Sequence, residues 1–231
     1  RANRVGPEGA KALAEMLKFN TAVNSLDVGL NNLDEEAALG IVRAARQHDR
    51  MTSLGLGNCG IGPSGAKEIA EYVQGSTAMA SINLLRNDIG VEAAKELVTI
   101  FRQHKSLKTL CGLKPEQTEA SFAHQGLQPA DGILIAADLK FNTALRSLDL
   151  FNCSVGAEGA KALAEMLKVN AAVKSINLRD NRLGTEGWYA IFHALCDNND
   201  SKIESWDLSG QGLGPELAKA LAEYVKGSAA M

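Results

Sequence analysis

Apolar residues recur in this chain at fixed offsets, and the whole pattern returns about every 28 residues. Each copy follows the form L-x-x-L-x-L-x-x-N-x-L, in which other apolar residues can replace leucine. Six copies start at Val23, Met51, Met79, Leu145, Val173 and Ile203. A near-identical stretch also occurs twice, at 5–20 and 155–170. Copies of one unit predict a repeat protein, in which each unit buries its apolar side against its neighbours.

Within each copy the apolar period changes from 2 to 3.6 residues. Leu148 and Leu150 alternate with polar residues, which predicts a short strand with one face inward. The apolar residues that follow fall at i, i+3, i+4 and i+7, which predicts one face of a helix: Ala160, Leu163, Ala164 and Leu167. Each unit is therefore expected to be a strand, a turn and a helix.

A polar residue closes each predicted helix. The residues at this helix-closing position are Asn20, His48, Ser76, His104, Asn142, Asn170 and Asn198. Asn, and to a lesser extent His, tolerates left-handed backbone, so a left-handed helix stop is expected here.

This order of elements resembles the leucine-rich repeat family, and more narrowly its ribonuclease-inhibitor-like subfamily. The resemblance covers nearly the whole chain. It implies an α/β fold, a leucine-rich-repeat solenoid forming a curved horseshoe segment, with parallel strands on the concave face and helices on the convex face. It also implies a buried ladder in which the ninth residue of each pattern hydrogen-bonds the turning backbone. The ladder positions are Asn3, Asn31, Cys59, Asn87, Gln125, Cys153, Asn181 and Gln211. The two Gln residues depart from the Asn or Cys of the family.

We expect residues 1–231 to form a single solenoid, as a fragment of a longer array, because the chain starts within a repeat and stops where another is due. One irregularity is predicted at about 107–118. The pattern that starts at Leu107 is followed by the next at Gln117, whereas a parallel return takes about a dozen residues or more. Gly112 and Pro115 lie between, so this segment is either a helix-less repeat or a bulged loop.

Composition narrows the possible function. The formal net charge of -3 argues against a nucleic-acid partner, because nucleic-acid binders normally present a basic face. No apolar run approaches the length of a membrane span, so direct membrane insertion is not expected. The four cysteines show no paired spacing, and two of them share one repeat position, Cys59 and Cys153. Free buried thiols favour a reducing intracellular compartment, the cytoplasm first.

The exposed positions after each strand hold the candidate binding residues. The third and fifth positions of the strands are small and polar, and we interpret them as a solvated lining. At the seventh and eighth positions larger side chains cluster in the middle of the array: Leu85, Arg86, Leu113, His124, Phe151, Asn152, Arg179 and Asp180. Exposed apolar side chains flanked by Arg are typical of a partner anchor, so a protein partner is predicted on the concave face.

Other aromatic residues and motifs have structural explanations. Trp206 occupies an inward Leu position, and Trp188, with Tyr189 and Phe192, is expected to repack that end of the chain. The four histidines fall in different units, so no metal site is expected, and none of the usual nucleophile, zinc or phosphate-loop motifs is present. No cofactor is expected.

The leading hypothesis is a protein-interaction scaffold without catalysis, either a free recognition module or a subunit of a larger assembly. The alternative, from the resemblance, is a GTPase-activating regulator that acts from the rim, with Arg4, Asn32, Asp88 and Arg182 as rim residues. A third hypothesis is a sensor array of the innate-immune type, which needs a nucleotide-binding module elsewhere in a longer chain.

Overall fold

The computed structural model of the chain describes residues 3–47, 49–198, 200, 203–204, 208 and 211–229. These residues form two compact units, Arg1–Gly112 and Leu113–Met231. Both units are built from short strands and helices that alternate along the chain. The expectation of one continuous solenoid over 1–231 stays a prediction.

The first unit contains four helices and three strands among its described residues. In chain order they are α1 (Gly6–Phe19), β1 (Ser25–Asp27), α2 (Glu35–Arg46), β2 (Ser53–Gly55), α3 (Pro63–Gly75), β3 (Ser81–Asn83) and α4 (Val91–Gln103). The strands pair in parallel in the order β1-β2-β3, with Leu54 opposite both Leu26 and Ile82.

The second unit repeats the arrangement. Its described elements are β4 (Glu119–Ser121), α5 (Pro129–Leu139), β5 (Ser147–Asp149), α6 (Gly156–Leu167), β6 (Ser175–Asn177), α7 (Gly184–Asp197) and α8 (Pro215–Ala229). Its strands are also parallel, in the order β4-β5-β6, and Leu148 lies opposite Ala120 and Ile176.

The inward strand residues form the core in both units. Leu54, Ile82, Leu148 and Ile176 are buried, and Leu26 on the edge strand β1 is half-buried. Trp206, predicted to be inward, lies outside the described residues. The order of strand, turn and helix predicted from the apolar pattern is confirmed, and it is the α/β architecture that the family resemblance implies.

Between α4 and β4 the described chain contains no helix. Thr109 and Cys111 form isolated bridges with Ser81 and Asn83 of β3, and a turn follows at 115–116. The boundary between the two units falls inside this segment, after Gly112. No described helix is long and apolar enough to cross a bilayer.

The ninth-position ladder is present at Asn31, Cys59, Asn87, Cys153 and Asn181, whereas Asn3 is exposed. Asn87 Nδ2 donates to Leu56 O at 2.8 Å and Leu84 O at 2.9 Å, and its Oδ1 accepts from Cys59 N at 2.9 Å. Asn181 Nδ2 likewise donates to Leu150 O and Leu178 O. Gln125 departs from the ladder, because its longer side chain bonds Ser121 O instead.

The prediction of left-handed backbone at the helix-closing position is wrong. Asn20, Ser76 and His104 have φ values of -83°, -83° and -79°. These residues act through their side chains. Asn170 Oδ1 accepts from the backbone of Ala172 and Val173, and its Nδ2 donates to Asn142 O of the preceding repeat at 2.8 Å. His48 lies outside the described residues.

The aromatic residues of α7 divide between core and surface. Trp188 is buried and stacks on buried Phe192 at 5.5 Å between ring centroids, as core packing requires. Tyr189 is 49 % exposed, so its predicted place in that core is wrong. It follows Trp188 directly on the helix and therefore points about 100° away from it.

Candidate partner-binding surface

The turn after each strand has a conserved geometry within this chain. The eighth position of the pattern adopts positive φ in every described copy after β1 to β6: Leu30, Asn58, Arg86, His124, Asn152 and Asp180, with φ from 49° to 66°. Asn, Asp and His are the side chains that best tolerate this left-handed region. The turn therefore has the same left-handed backbone at the eighth position in all six copies.

The polar side chain at the fifth position accepts a hydrogen bond from the backbone N–H of the seventh residue and so fixes the backbone there. Asp149 Oδ1 accepts from Phe151 N at 3.0 Å, and Asn177 Oδ1 accepts from Arg179 N at 3.2 Å. Backbone bonds extend the strand pairing into the turn, because Asn152 N donates to Arg179 O at 3.0 Å. The seventh-position side chains therefore project from a backbone that is held on two sides.

In the second unit this geometry brings three side chains from successive repeats into a stack. The His124 and Phe151 ring centroids are 4.7 Å apart with planes at 87°, an edge-to-face contact. Arg179 lies on the following repeat. Its guanidinium carbon is 5.4 Å from the centroid of the Phe151 ring, within cation–π range. Phe151 is thus held between an imidazole and a guanidinium, and it remains half-exposed.

Two eighth-position residues complete what we name the Phe151 cluster: His124, Phe151, Asn152, Arg179 and Asp180. Asn152 Nδ2 donates to His124 Nδ1 at 2.9 Å, so the imidazole proton is on Nε2 and faces away from Asn152. Asp180 Oδ2 is 3.6 Å from Arg179 Nε, an ion pair on the surface. The cluster therefore presents an aromatic face, a cation, an anion and an amide side by side.

The ladder residue beneath the cluster, Cys153, is buried. The Cys153 thiol donates to Phe122 O at 3.2 Å, and burial raises the pKa of that thiol. Burial also raises the pKa of Cys59, its counterpart in the first unit, to about 12. Both thiols are protonated at neutral pH, so they serve as ladder residues and not as nucleophiles.

The eight predicted site residues do not all fall in this cluster. Leu85 and Arg86 belong to the first unit, where Leu85 is only 4 % exposed. The expectation that Leu85 is an exposed anchor is wrong, because an apolar side chain gains stability from burial and here becomes part of the core. Arg86 and, in the second unit, Leu113 are half-buried.

The strand face of the first unit contrasts with that of the second. Gly29, Gly55 and Gly57 occupy its fifth and seventh positions, and a Cβ on Gly55 would lie 2.2 Å from Asp27 Oδ1. A larger residue at position 55 would therefore have to displace the Asp27 side chain. At the seventh position, Gly29 and Gly57 have no side chain where the second unit has Phe151 and Arg179.

The fifth position, predicted to be a solvated lining, also holds the backbone of the turn through its side chains. Asp149 holds the Phe151 backbone and also accepts from Ser121 Oγ at 3.2 Å. The available signal was the Asp or Asn placed two residues before the seventh position, since these side chains bond their own backbone two residues on. Among the described residues, no group of three or more His, Cys, Asp or Glu is placed to hold a metal ion.

Comparison with known proteins agrees with the repeat architecture. A family model described as Leucine Rich repeat matches residues 51–70, 141–164 and 169–192. Among curated relatives, human "NACHT, LRR and PYD domains-containing protein 13" is 28% identical over 96 residues, which is 42% of this chain and 9% of that protein. Mouse "NACHT, LRR and PYD domains-containing protein 14" is 32% identical over 92 residues, 39% of this chain and 9% of that protein. The match spans less than a tenth of these relatives.

Two solved structures are similar in part. A leiomodin-1 actin-binding site 2 structure has a TM-score of 0.41 and 18% identity, covering 48% of this chain and 68% of that one. The tropomodulin C-terminal domain of Caenorhabditis elegans has a TM-score of 0.33 and 12% identity, covering 94% and 93%. Both scores are too low to bear on function. The matched residues and the strand–turn–helix order agree on a leucine-rich-repeat fold, and repeats of this kind imply a protein-interaction module.

Proposed function

We propose that the chain binds a protein partner through the exposed strand face of its second unit and has no catalysis of its own. The observation that carries this proposal is the stack of His124, Phe151 and Arg179 across three successive repeats. Aromatic and Arg side chains dominate the energetics of protein interfaces, because they combine large apolar area with directed hydrogen bonds.

Preorganisation supports the same proposal. The turn backbone is fixed by fifth-position side chains, and the Phe151 ring is held between two neighbours before any partner arrives. A surface that is already ordered loses little side-chain entropy on binding, so more of the interaction energy appears as affinity. The partner we infer places an apolar side chain on Phe151 and polar groups on Arg179 and Asn152.

The test compares two double variants of the chain. Phe151→Ala with Arg179→Ala removes the centre of the cluster, whereas Phe141→Ala with Arg146→Ala removes a Phe that is 78 % exposed and an exposed Arg away from it. Proteins that co-purify from the native source with the wild-type chain are identified by mass spectrometry, and their affinities are then measured with purified partner.

We expect the cluster variant to bind at least about 30-fold more weakly, since truncation of a hot-spot residue costs about 2 kcal/mol or more. The control variant is expected to bind as the wild type does. Equal affinity of the wild type and the cluster variant for every partner would refute the proposal, provided that both chains give the same circular-dichroism spectrum.

A further inference from the structure

A cavity of about 430 Å³ lies in the first unit, between the C-terminal ends of α3 and α4. This volume is in the range of sites that hold small molecules or short peptide segments. Its polar walls include Gln74 of α3 and Gln103 of α4, and Ile100 gives it an apolar patch. It belongs to the helix side of the unit and shares no residue with the strand face.

Bonds between repeats fix the base of this cavity. His104 Nδ1 accepts from Leu107 N at 2.9 Å, so its Nε2 carries the proton and donates to Ser76 O at 2.8 Å. Ser106 Oγ donates to Thr77 O at 2.8 Å. These hydrogen bonds join the ends of the two helices and make the base of the cavity rigid. Their donors and acceptors are therefore already paired within the chain.

The two glutamines remain available at the mouth. Gln74 and Gln103 are exposed, and neither carboxamide forms a hydrogen bond within the described residues. Each carboxamide supplies both donors and an acceptor, which is the combination that a peptide group needs. They come from adjacent repeats and border one cavity.

Charge decides which ligand suits these groups. The C-terminal ends of α3 and α4 carry partial negative charge, which disfavours an anion. The Asp49 carboxylate adds to it, because it accepts hydrogen bonds from Ser76 Oγ and Thr77 N, and these bonds lower its pKa. Lys105 on the rim offsets this charge in part. A neutral ligand with donors and acceptors fits better than a carboxylate.

We propose that this cavity binds the backbone of an extended peptide segment of a partner protein, with one apolar side chain of that segment against Ile100. The Gln74 and Gln103 carboxamides pair with successive peptide groups of the segment. The chain then has two contact surfaces, and this one does not depend on the Phe151 cluster.

The test follows glutamine side-chain amides by NMR in the full ¹⁵N-labelled chain. The probe is N-acetyl-Ala-Ala-N-methylamide, a neutral peptide, and acetate is the anionic comparison. We expect the peptide to shift the Gln74 and Gln103 resonances in a saturable manner while Gln47, at the matching end of α2, does not move. Shifts with acetate alone, or no shift with either probe, would overturn the proposal.

Variants give a second readout. Gln74→Ala and Gln103→Ala are each expected to weaken peptide binding about two- to tenfold, as the loss of one neutral hydrogen bond predicts. Gln47→Ala is the matched control and is expected to leave affinity unchanged. Equal affinity in all three variants would place the peptide elsewhere and refute the assignment.

Discussion

At the scale of the residue, the eighth position of each repeat combines one backbone geometry with varied side chains. Leu30 has φ 61° and Asn58 has φ 56° at equivalent places in neighbouring repeats, and both are exposed. A left-handed Leu is strained by about 1 kcal/mol or more, whereas Asn relieves this by local hydrogen bonding. The free-energy cost of the left-handed turn therefore depends on the type of side chain and not on the contacts that the side chain makes.

Exchanging these two residue types tests that cost. Leu30→Asn is expected to raise the free energy of unfolding by about 1 kcal/mol, and Asn58→Leu to lower it by a similar amount. Urea unfolding followed by circular dichroism measures both. Changes of the same sign in the two variants would contradict a backbone origin.

A second residue-scale effect depends on pH. Hydrogen bonds from Ser76 Oγ and from Thr77 N lower the pKa of Asp49 in the folded chain. Because the folded-state pKa lies below the unfolded value of about 3.9, the stabilisation is present above that value and is lost as pH falls through the folded-state pKa. Asp49→Asn is therefore expected to lose less stability than the wild type between pH 6 and pH 2.

The measurement is the free energy of unfolding at several pH values for the two chains. Asp88→Asn is the control, because exposed Asp88 accepts no hydrogen bond from the described residues. A change in pH dependence of the same size in Asp88→Asn as in Asp49→Asn would contradict a specific role for the Ser76 and Thr77 hydrogen bonds. The Arg43–Glu68 pair, which lowers the pKa of Glu68, is present in every variant and cancels in the comparison.

At the scale of the element, helix packing in the second unit depends on glycine. A Cβ on Gly132 would lie 3.0 Å from Gly159 Cα, and one on Gly187 would lie 2.9 Å from Ala160 Cβ. Each of these glycines lets a helix approach its neighbour closely. Parallel strands lie about 4.8 Å apart, and each strand is followed by one helix. The helices must therefore pack closely for the strands to remain paired.

A pair of Gly→Ala variants separates packing from helix propensity. In Gly159→Ala the new Cβ would lie 2.6 Å from Val155 Cγ1 and 3.2 Å from Pro129 O, so we expect a loss of about 1–3 kcal/mol. In Gly40→Ala, within α2, nothing lies within 4 Å, and a gain of about 0.5–1 kcal/mol is expected. Thermal and urea unfolding measure both, and stabilisation by Gly159→Ala would show that the helices can move apart.

Strand and helix positions followed from the sequence because the apolar period is repeated many times. Leu54 and Leu148 fill equivalent places, so a weak pattern in one copy is supported by the others. The helix-closing residues were located correctly but given the wrong conformation, because residue preference does not distinguish a left-handed Asn from one that caps through its side chain. Exposure was less predictable, since Leu85 shares a position with Phe151 yet belongs to the core.

At the scale of the whole molecule, repetition specifies the scaffold and departures from repetition carry the candidate sites. The strand face of the first unit carries Gly29, Gly55 and Gly57, and that of the second bears the Phe151 cluster. The grouping of His124, Phe151 and Arg179 was predictable from their shared or neighbouring positions in successive repeats. The ring contacts, the His124 tautomer and the cavity between α3 and α4 were not, because they depend on side-chain rotamers that no period specifies.

The Phe151 stack is formed by residues of three separate repeats, and this affects how the surface can change during evolution. Unequal recombination between the coding segments of two repeats would add or remove one whole strand–turn–helix unit and leave the ninth-position ladder continuous. It would nevertheless give Phe151 a different neighbour in place of His124 or Arg179. The proposed binding face can therefore diverge by duplication and loss of units, without any point substitution in the Phe151 cluster.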